Sequence, residues 1–202
     1  MKDKNKEFIN TYWNYFLELE EQLLTIKRYV AFDKINYKTY SIEFLKLYQA
    51  TCSEIDVVAK YIAEYFDPSF KKAQHKNIQK WGYIVHNQFP AIETISIRFT
   101  NDDVFIPWKN WCYEITKNKH GKKIYKLCEN KNTPKWWTAY NKVKHERAFI
   151  NNDNGKSNYT QANLSNLIYS LSALYVLETL FIDYLGINSK VYQKSKLFQQ
   201  GK

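Results

Sequence analysis

The residues best suited to chemistry lie between positions 133 and 147, TPKWWTAYNKVKHER. Histidine is the side chain that changes charge near neutral pH and serves as a general acid or base. At about 100° per helical residue, Asn141 and His145 share one face, with Thr138 and Lys142 close by. Trp136, Ala139, Tyr140, Val143 and Ile150 fall on the far side, which reads as a core stripe. Trp137 flanks the polar face. An imidazole, an amide that orients it, and Lys142 or Lys144 to neutralise a phosphate suit phosphodiester binding. They also suit metal-independent RNA cleavage through attack of a 2′-hydroxyl. The plainer alternative is an exposed histidine on an ordinary amphipathic helix.

Charge points to the same stretch. The 202-residue chain carries a formal net charge of +10, and residues 109–144 hold ten lysines against two glutamates. A basic stretch suggests an anionic partner, here RNA or a nucleotide. Lys117, Lys119, Lys122, Lys123 and Lys126 surround the turn signal Asn118-Lys119-His120-Gly121, and Lys135 opens the motif segment. Trp108, Trp111 and Tyr125 are interleaved with them. Cations with aromatics between them can contact phosphates and stack on bases. The alternative is a solvated turn whose aromatics pack on the body of the protein.

Two further carboxylates bear on the site. Glu178 interrupts the apolar stripe of the last helix, where it would orient a basic residue of the motif helix, pair with a tyrosine hydroxyl or reach the surface. Glu54, near Asp56 on the second helix, would face the same cleft or solvent. Cys52, Cys112 and Cys128 read as free thiols in a reducing cytoplasm, although Cys112 and Cys128 can oppose each other across a hairpin. No metal site and no cofactor is expected. The start, MKDKNKEF, has no apolar run behind it, and no stretch of 18 uninterrupted apolar residues predicts a membrane span.

The elements that must hold these residues are mainly helical. Stripes at three- and four-residue steps predict helices over 6–32, 39–66, 70–85, 133–150 and 160–185. Thr133-Pro134 reads as a cap followed by a first-turn proline, and Gly186 as a stop. Alternation at Ile95-Ile97-Phe99, Trp111-Tyr113-Ile115 and 122–128 predicts strands. The expected fold is all-α: an antiparallel helical bundle forming one domain over 1–188, with a small β-hairpin insertion near 92–130. Residues 189–202 read as a basic flexible tail.

Tyr140-Asn141-Lys142-Val143-Lys144-His145, followed by a long apolar final helix, resembles the motif helix of HEPN-like proteins. That family's motif is an Arg, a polar residue, a few variable positions and a His. Asn141 and His145 match it, and Tyr140 stands at the Arg position. The resemblance implies an all-helical RNA- or nucleotide-binding domain. It also implies dimerisation through the motif helix, and membership of a microbial toxin–antitoxin or antiviral defence system with an antitoxin or other protein partner. Active members are metal-independent endoribonucleases. Tyr140 lacks the fixed charge of Arg. Two readings follow: a ribonuclease using His145, Asn141, Lys142 or Lys144, or a non-catalytic helical interaction module.

Overall fold

A computed structural model describes residues 2–100, 102–151 and 155–201, with side chains from residue 4 onward. The chain begins as one continuous helical rod. It comprises α1 (Lys2–Phe8), a π-helical turn (Ile9–Trp13) and α2 (Asn14–Ile26), with the junction residues Phe8, Trp13 and Asn14 all right-handed. α3 (Ile42–Phe66) starts where Ser41 accepts a hydrogen bond from the Phe44 amide, and Glu43 suits its first turn. The expected third helix is split into a 3-10 turn (Pro68–Lys72) and α4 (Ile78–Gln88), the latter capped by Asn77. α5 (Lys135–His145) and α6 (Leu164–Tyr184) complete the helices. Asn163 caps α6, and Gly186 at φ +65° provides the left-handed turn that ends it.

α6 is the centre of the core and packs against α2, α3 and α5. It is long and apolar enough to cross a membrane by length and composition, and 67% of that window is buried inside this fold.

The all-α expectation is corrected. The fold is 55% helix and 11% strand, a mixed α/β architecture with two small antiparallel sheets. One sheet has the order β2-β1-β5, from β1 (Ile97–Phe99), β2 (Val104–Phe105) and β5 (Phe198–Gln200). The other is the hairpin of β3 (Tyr113–Lys117) and β4 (Lys123–Leu127). β1 therefore pairs with the far C-terminus, in register Phe99 opposite Phe198.

Residues 189–201 are correspondingly not a loose tail. Glu20 on α2 is 2% exposed. Its carboxylate accepts hydrogen bonds from the Lys196 amide at 2.9 Å, the Leu197 amide at 3.1 Å and the Ser195 hydroxyl. Trp13 Nε1 donates to the Gln193 carbonyl at 2.7 Å. Phe198 then packs against Phe16, Phe99 and Tyr175. A buried carboxylate needs partners, and the returning backbone supplies them.

Five tryptophans, Trp81, Trp108, Trp111, Trp136 and Trp137, form one cluster joining α4, the 106–111 loop and α5. Neighbouring ring centroids lie 4.5 to 6.5 Å apart. Trp108 Nε1 donates to the Ala173 carbonyl at 3.0 Å, and Trp136 Nε1 to the Pro107 carbonyl at 2.8 Å. Gly82 lets the hairpin reach α4, because a Cβ there would stand 2.8 Å from ring carbons of Trp111 and Tyr113.

The expectation of free thiols is also corrected for two of the three cysteines. Cys112 and Cys128 form a disulfide with Cα atoms 5.5 Å apart. They sit one step beyond the Tyr113–Leu127 pair, where the Cys128 amide donates to the Cys112 carbonyl. Cross-strand register places their Cα atoms within bridging distance. Cysteine usage therefore gives no argument for a reducing compartment. Cys52 is free and buried.

Candidate functional site

α5 has two faces. Trp136, Trp137, Ala139, Tyr140 and Val143 are buried, whereas Thr138, Asn141, Lys142, Lys144 and His145 are exposed. Its ends differ from the sequence expectation. Pro134, in an extended conformation, is the N-cap residue, and no side chain caps the helix. The Thr133 hydroxyl instead lies 3.4 Å from the Tyr113 hydroxyl. The helix stops at His145, five residues early. Asn158, 5% exposed, donates its side-chain amide to the Glu146 carbonyl at 2.9 Å and so satisfies a helix-terminal acceptor. Ile150 therefore leaves the expected core stripe and is 58% exposed.

A cleft of about 410 Å³ runs along the outer face of α5. Thr138, Asn141, Lys142, His145 and Glu146 form one wall; Ile78 and Gln79 of α4, Tyr113 of β3 and Thr133 form the other, with Trp137 at the floor. Asn141, Lys142, His145 and Trp137 are thus brought together. No hydrogen bond engages the His145 imidazole among the described residues, so both ring nitrogens are available to a ligand.

Lys144 does not join that cleft. Its ammonium lies over the Tyr140 ring, 5.6 Å from the centroid, in a neighbouring cleft with Ser53, Asp56, Lys76 and Asn77. Asn141 lines both clefts. Tyr140 packs edge-on against Tyr48 at 6.1 Å and at a tilt against Trp137 at 5.4 Å. Burial, then the nearby Cys52 and Asp56, push its hydroxyl up to about 12. Tyr140 is therefore neutral at physiological pH, and its ring belongs to the core.

The hairpin lysines Lys117, Lys119, Lys122, Lys123 and Lys126 are all exposed. Lys126 pairs with Glu114 at 3.1 Å, and the other four have no ion-pair partner among the described residues. The Asn118 side chain accepts from the His120 and Lys122 amides and fixes the turn, with Gly121 at φ +74°. None of the five lysines lines the His145 cleft; the hairpin root does, through Tyr113. Trp108 and Trp111, expected as base-stacking groups, are fully buried in the tryptophan cluster, and Tyr125 leans on Tyr83 at 5.6 Å. Lys135 lines a separate cavity at the start of α5, together with Lys109.

Glu178 and Glu54 do not support α5. Glu178 is fully buried, and neither carboxyl oxygen has a hydrogen-bond partner. Burial first, then the proximity of Glu54, raises it well above the usual carboxylate range. Burial also raises Glu54. Both carboxylates, together with Glu7 and Tyr61, act on Tyr12 in the π-helical turn, whose hydroxyl is raised mainly by burial. Asp56, about 200° from Glu54 around α3, takes the side facing α4 and α5. It accepts a hydrogen bond from Trp81 Nε1 at 3.0 Å.

Residue types and spacing do not single out Glu146, Gln79, Tyr113 or Thr133 as cleft residues. Glu146 is signalled only by adjacency to His145. The other three reach the cleft through tertiary packing, which no local spacing encodes. Among the described residues there is no group of three or more His, Cys, Asp or Glu side chains able to hold a metal. One open cleft thus gathers an amide, a cation, a carboxylate and an unengaged imidazole. No protein-family model, curated protein or solved structure matches this chain.

Proposed function

We propose that this chain binds RNA, with the strand in the α5 cleft and flanking phosphates reaching the hairpin lysines. The observation that carries this reading is the convergence of Asn141, Lys142 and the unengaged His145 in one solvent-open cleft. The four unpaired lysines at the hairpin tip support it, since cations without internal partners are free to replace counterions along a phosphate backbone. In this reading Lys142 meets a phosphate, Asn141 hydrogen-bonds the ribose or phosphate, and His145 faces the 2′-hydroxyl.

The HEPN-like resemblance of the 140–145 segment belongs to the same proposal, as do dimerisation through α5 and a place in a toxin–antitoxin or antiviral system. Phe149 and Ile150, 56% and 58% exposed just beyond α5, favour a protein contact there. For cleavage, His145 would take the 2′-hydroxyl proton as that oxygen attacks the phosphorus and the bond to the 5′-oxygen breaks, and the proton would pass from His145 to the departing 5′-oxygen. The Tyr140 position contributes no charge to the scissile phosphate, so binding is the better supported half of the reading.

The test is retention of labelled single-stranded RNA across a salt series in the presence of chelator, with wild type and His145→Ala compared. Retention at low salt that falls steeply with salt is expected. No retention at low salt overturns the RNA reading. Cleavage present in wild type and absent in His145→Ala assigns the protein an activity, whereas equal cleavage in both removes His145 from any mechanism.

A further inference from the structure

A cavity of about 680 Å³ lies at the start of α5, next to the His145 cleft. Its size falls in the range of small-ligand sites, roughly 300–1,000 Å³. Lys109 from the loop before β3 and Lys135 from α5 both line it, and no carboxylate does. Neither lysine has an ion-pair partner among the described residues. Two lysines lining one concave space, with no carboxylate among the lining residues, favour an anion there. The rest of the wall suits a nucleotide attached to that anion. Asn110, Asn132 and Asn166 carry amides that donate and accept, and the half-buried Tyr169 offers ring surface. The Asn166 amide nitrogen already donates to the Gln161 carbonyl at 2.8 Å, which leaves its oxygen as an acceptor.

Thr133 lines both this cavity and the His145 cleft. A strand in the cleft can therefore run past Thr133 and end in the cavity. We propose that the cavity binds a terminal phosphate monoester of that strand, so that the protein reads an RNA end. A monoester carries about −1.5 to −2 charges, against one for a backbone diester, and matches the two lysines better. The proposal rests on the RNA reading for its strand; the cavity's preference for a monoester does not.

The experiment is fluorescence anisotropy with a short oligouridylate labelled at one end and carrying either phosphate or hydroxyl at the other, in both polarities. Uridine monophosphate serves as a free-ligand arm, and each variant is checked for an unchanged thermal transition. Phosphate at one of the two ends is expected to tighten binding about tenfold through charge-assisted contacts. In Lys109→Gln and in Lys135→Gln, phosphate- and hydroxyl-ended strands should bind alike. In Lys123→Gln, on the hairpin, both should weaken equally and the end preference should persist. Strand binding with no end preference, unchanged in its pattern by Lys109→Gln, overturns the monoester site and leaves the RNA reading standing. Lys109-dependent binding of uridine monophosphate without strand binding overturns the RNA reading and assigns the cavity to a free phosphorylated ligand. Failure of both ligands to bind overturns the site.

Discussion

Two regions of this molecule treat polar groups in opposite ways. Around α5, Asn141, Lys142, His145 and Glu146 stay at the surface while Trp136, Trp137 and Tyr140 fill the interior behind them. On α6, Glu178 places a carboxyl in the core with neither oxygen hydrogen-bonded. The first arrangement leaves polar side chains uncommitted where a ligand can reach them, on a backbone held by aromatic packing. The second exposes no atom to a ligand and lowers stability, since an unsatisfied buried polar group costs about 1–3 kcal/mol. Exposure separates the candidate site from the liability, although both contain residues that a sequence reading marks as chemical.

The largest effect should come from removing the support beneath α5. Trp136→Ala should destabilise the protein by about 3–5 kcal/mol, measured by chemical denaturation, because it removes the buried α5 ring that packs against Trp108 and Trp137. A loss below about 1 kcal/mol would mean that the cluster does not hold α5. Reduction of Cys112–Cys128 comes next. The bridge spans a sequence separation of 16, and loops of that size contribute about 3 kcal/mol. A thermal melt with and without reductant checks this.

Glu178 tests the opposite region. Glu178→Met should raise stability by about 1–3 kcal/mol by removing the orphaned carboxyl. The pH dependence has a definite sign. Folding raises this carboxyl above its unfolded value near 4.5, so its contribution is intact below that pH. That contribution is lost as pH rises toward the folded value. Wild type should therefore lose stability from about pH 4.5 upward. Glu178→Gln should flatten the curve, and parallel curves for the two proteins would refute the assignment. Charge removal at the hairpin should leave stability nearly unchanged. Replacing Lys117, Lys119, Lys122 and Lys123 by Gln should reduce the slope of log affinity for single-stranded RNA against log salt by about 0.7 for each phosphate that is no longer neutralised. The smallest effect is the stability change in His145→Ala, within about 0.5 kcal/mol, because the side chain is exposed and unbonded.

Much of the helical frame is legible in the amino-acid sequence. The stripe from Phe44 to Phe66, the apolar run from Leu164 to Leu185 and the stop at Gly186 all correspond to observed elements. The alternation around the Asn118–Gly121 turn corresponds to β3 and β4. On α5, the outward face of Asn141, Lys142 and His145 follows from helical spacing. What spacing does not encode is depth and partnership. Trp108 and Trp111 sit between lysines in sequence yet lie fully buried. Residues 189–202 look like a basic tail, but Glu20, about 175 residues away, binds the Ser195 hydroxyl and the Lys196 and Leu197 amides. Glu54 and Asp56 are two residues apart and serve opposite sides of α3.

The sequence by itself determined that five helices form, the ends of the two longest to within a few residues, which face of α5 is polar, and where the positive charge gathers. These are local properties, set by side-chain periodicity, capping and composition. Only the tertiary structure decided that the fold is mixed rather than all-helical, that Cys112 meets Cys128, that Lys144 turns away from His145, and that Lys109 and Lys135 face one cavity. Each of these depends on long-range packing, in which the burial of aromatic surface and the pairing of buried polar groups outweigh local preference.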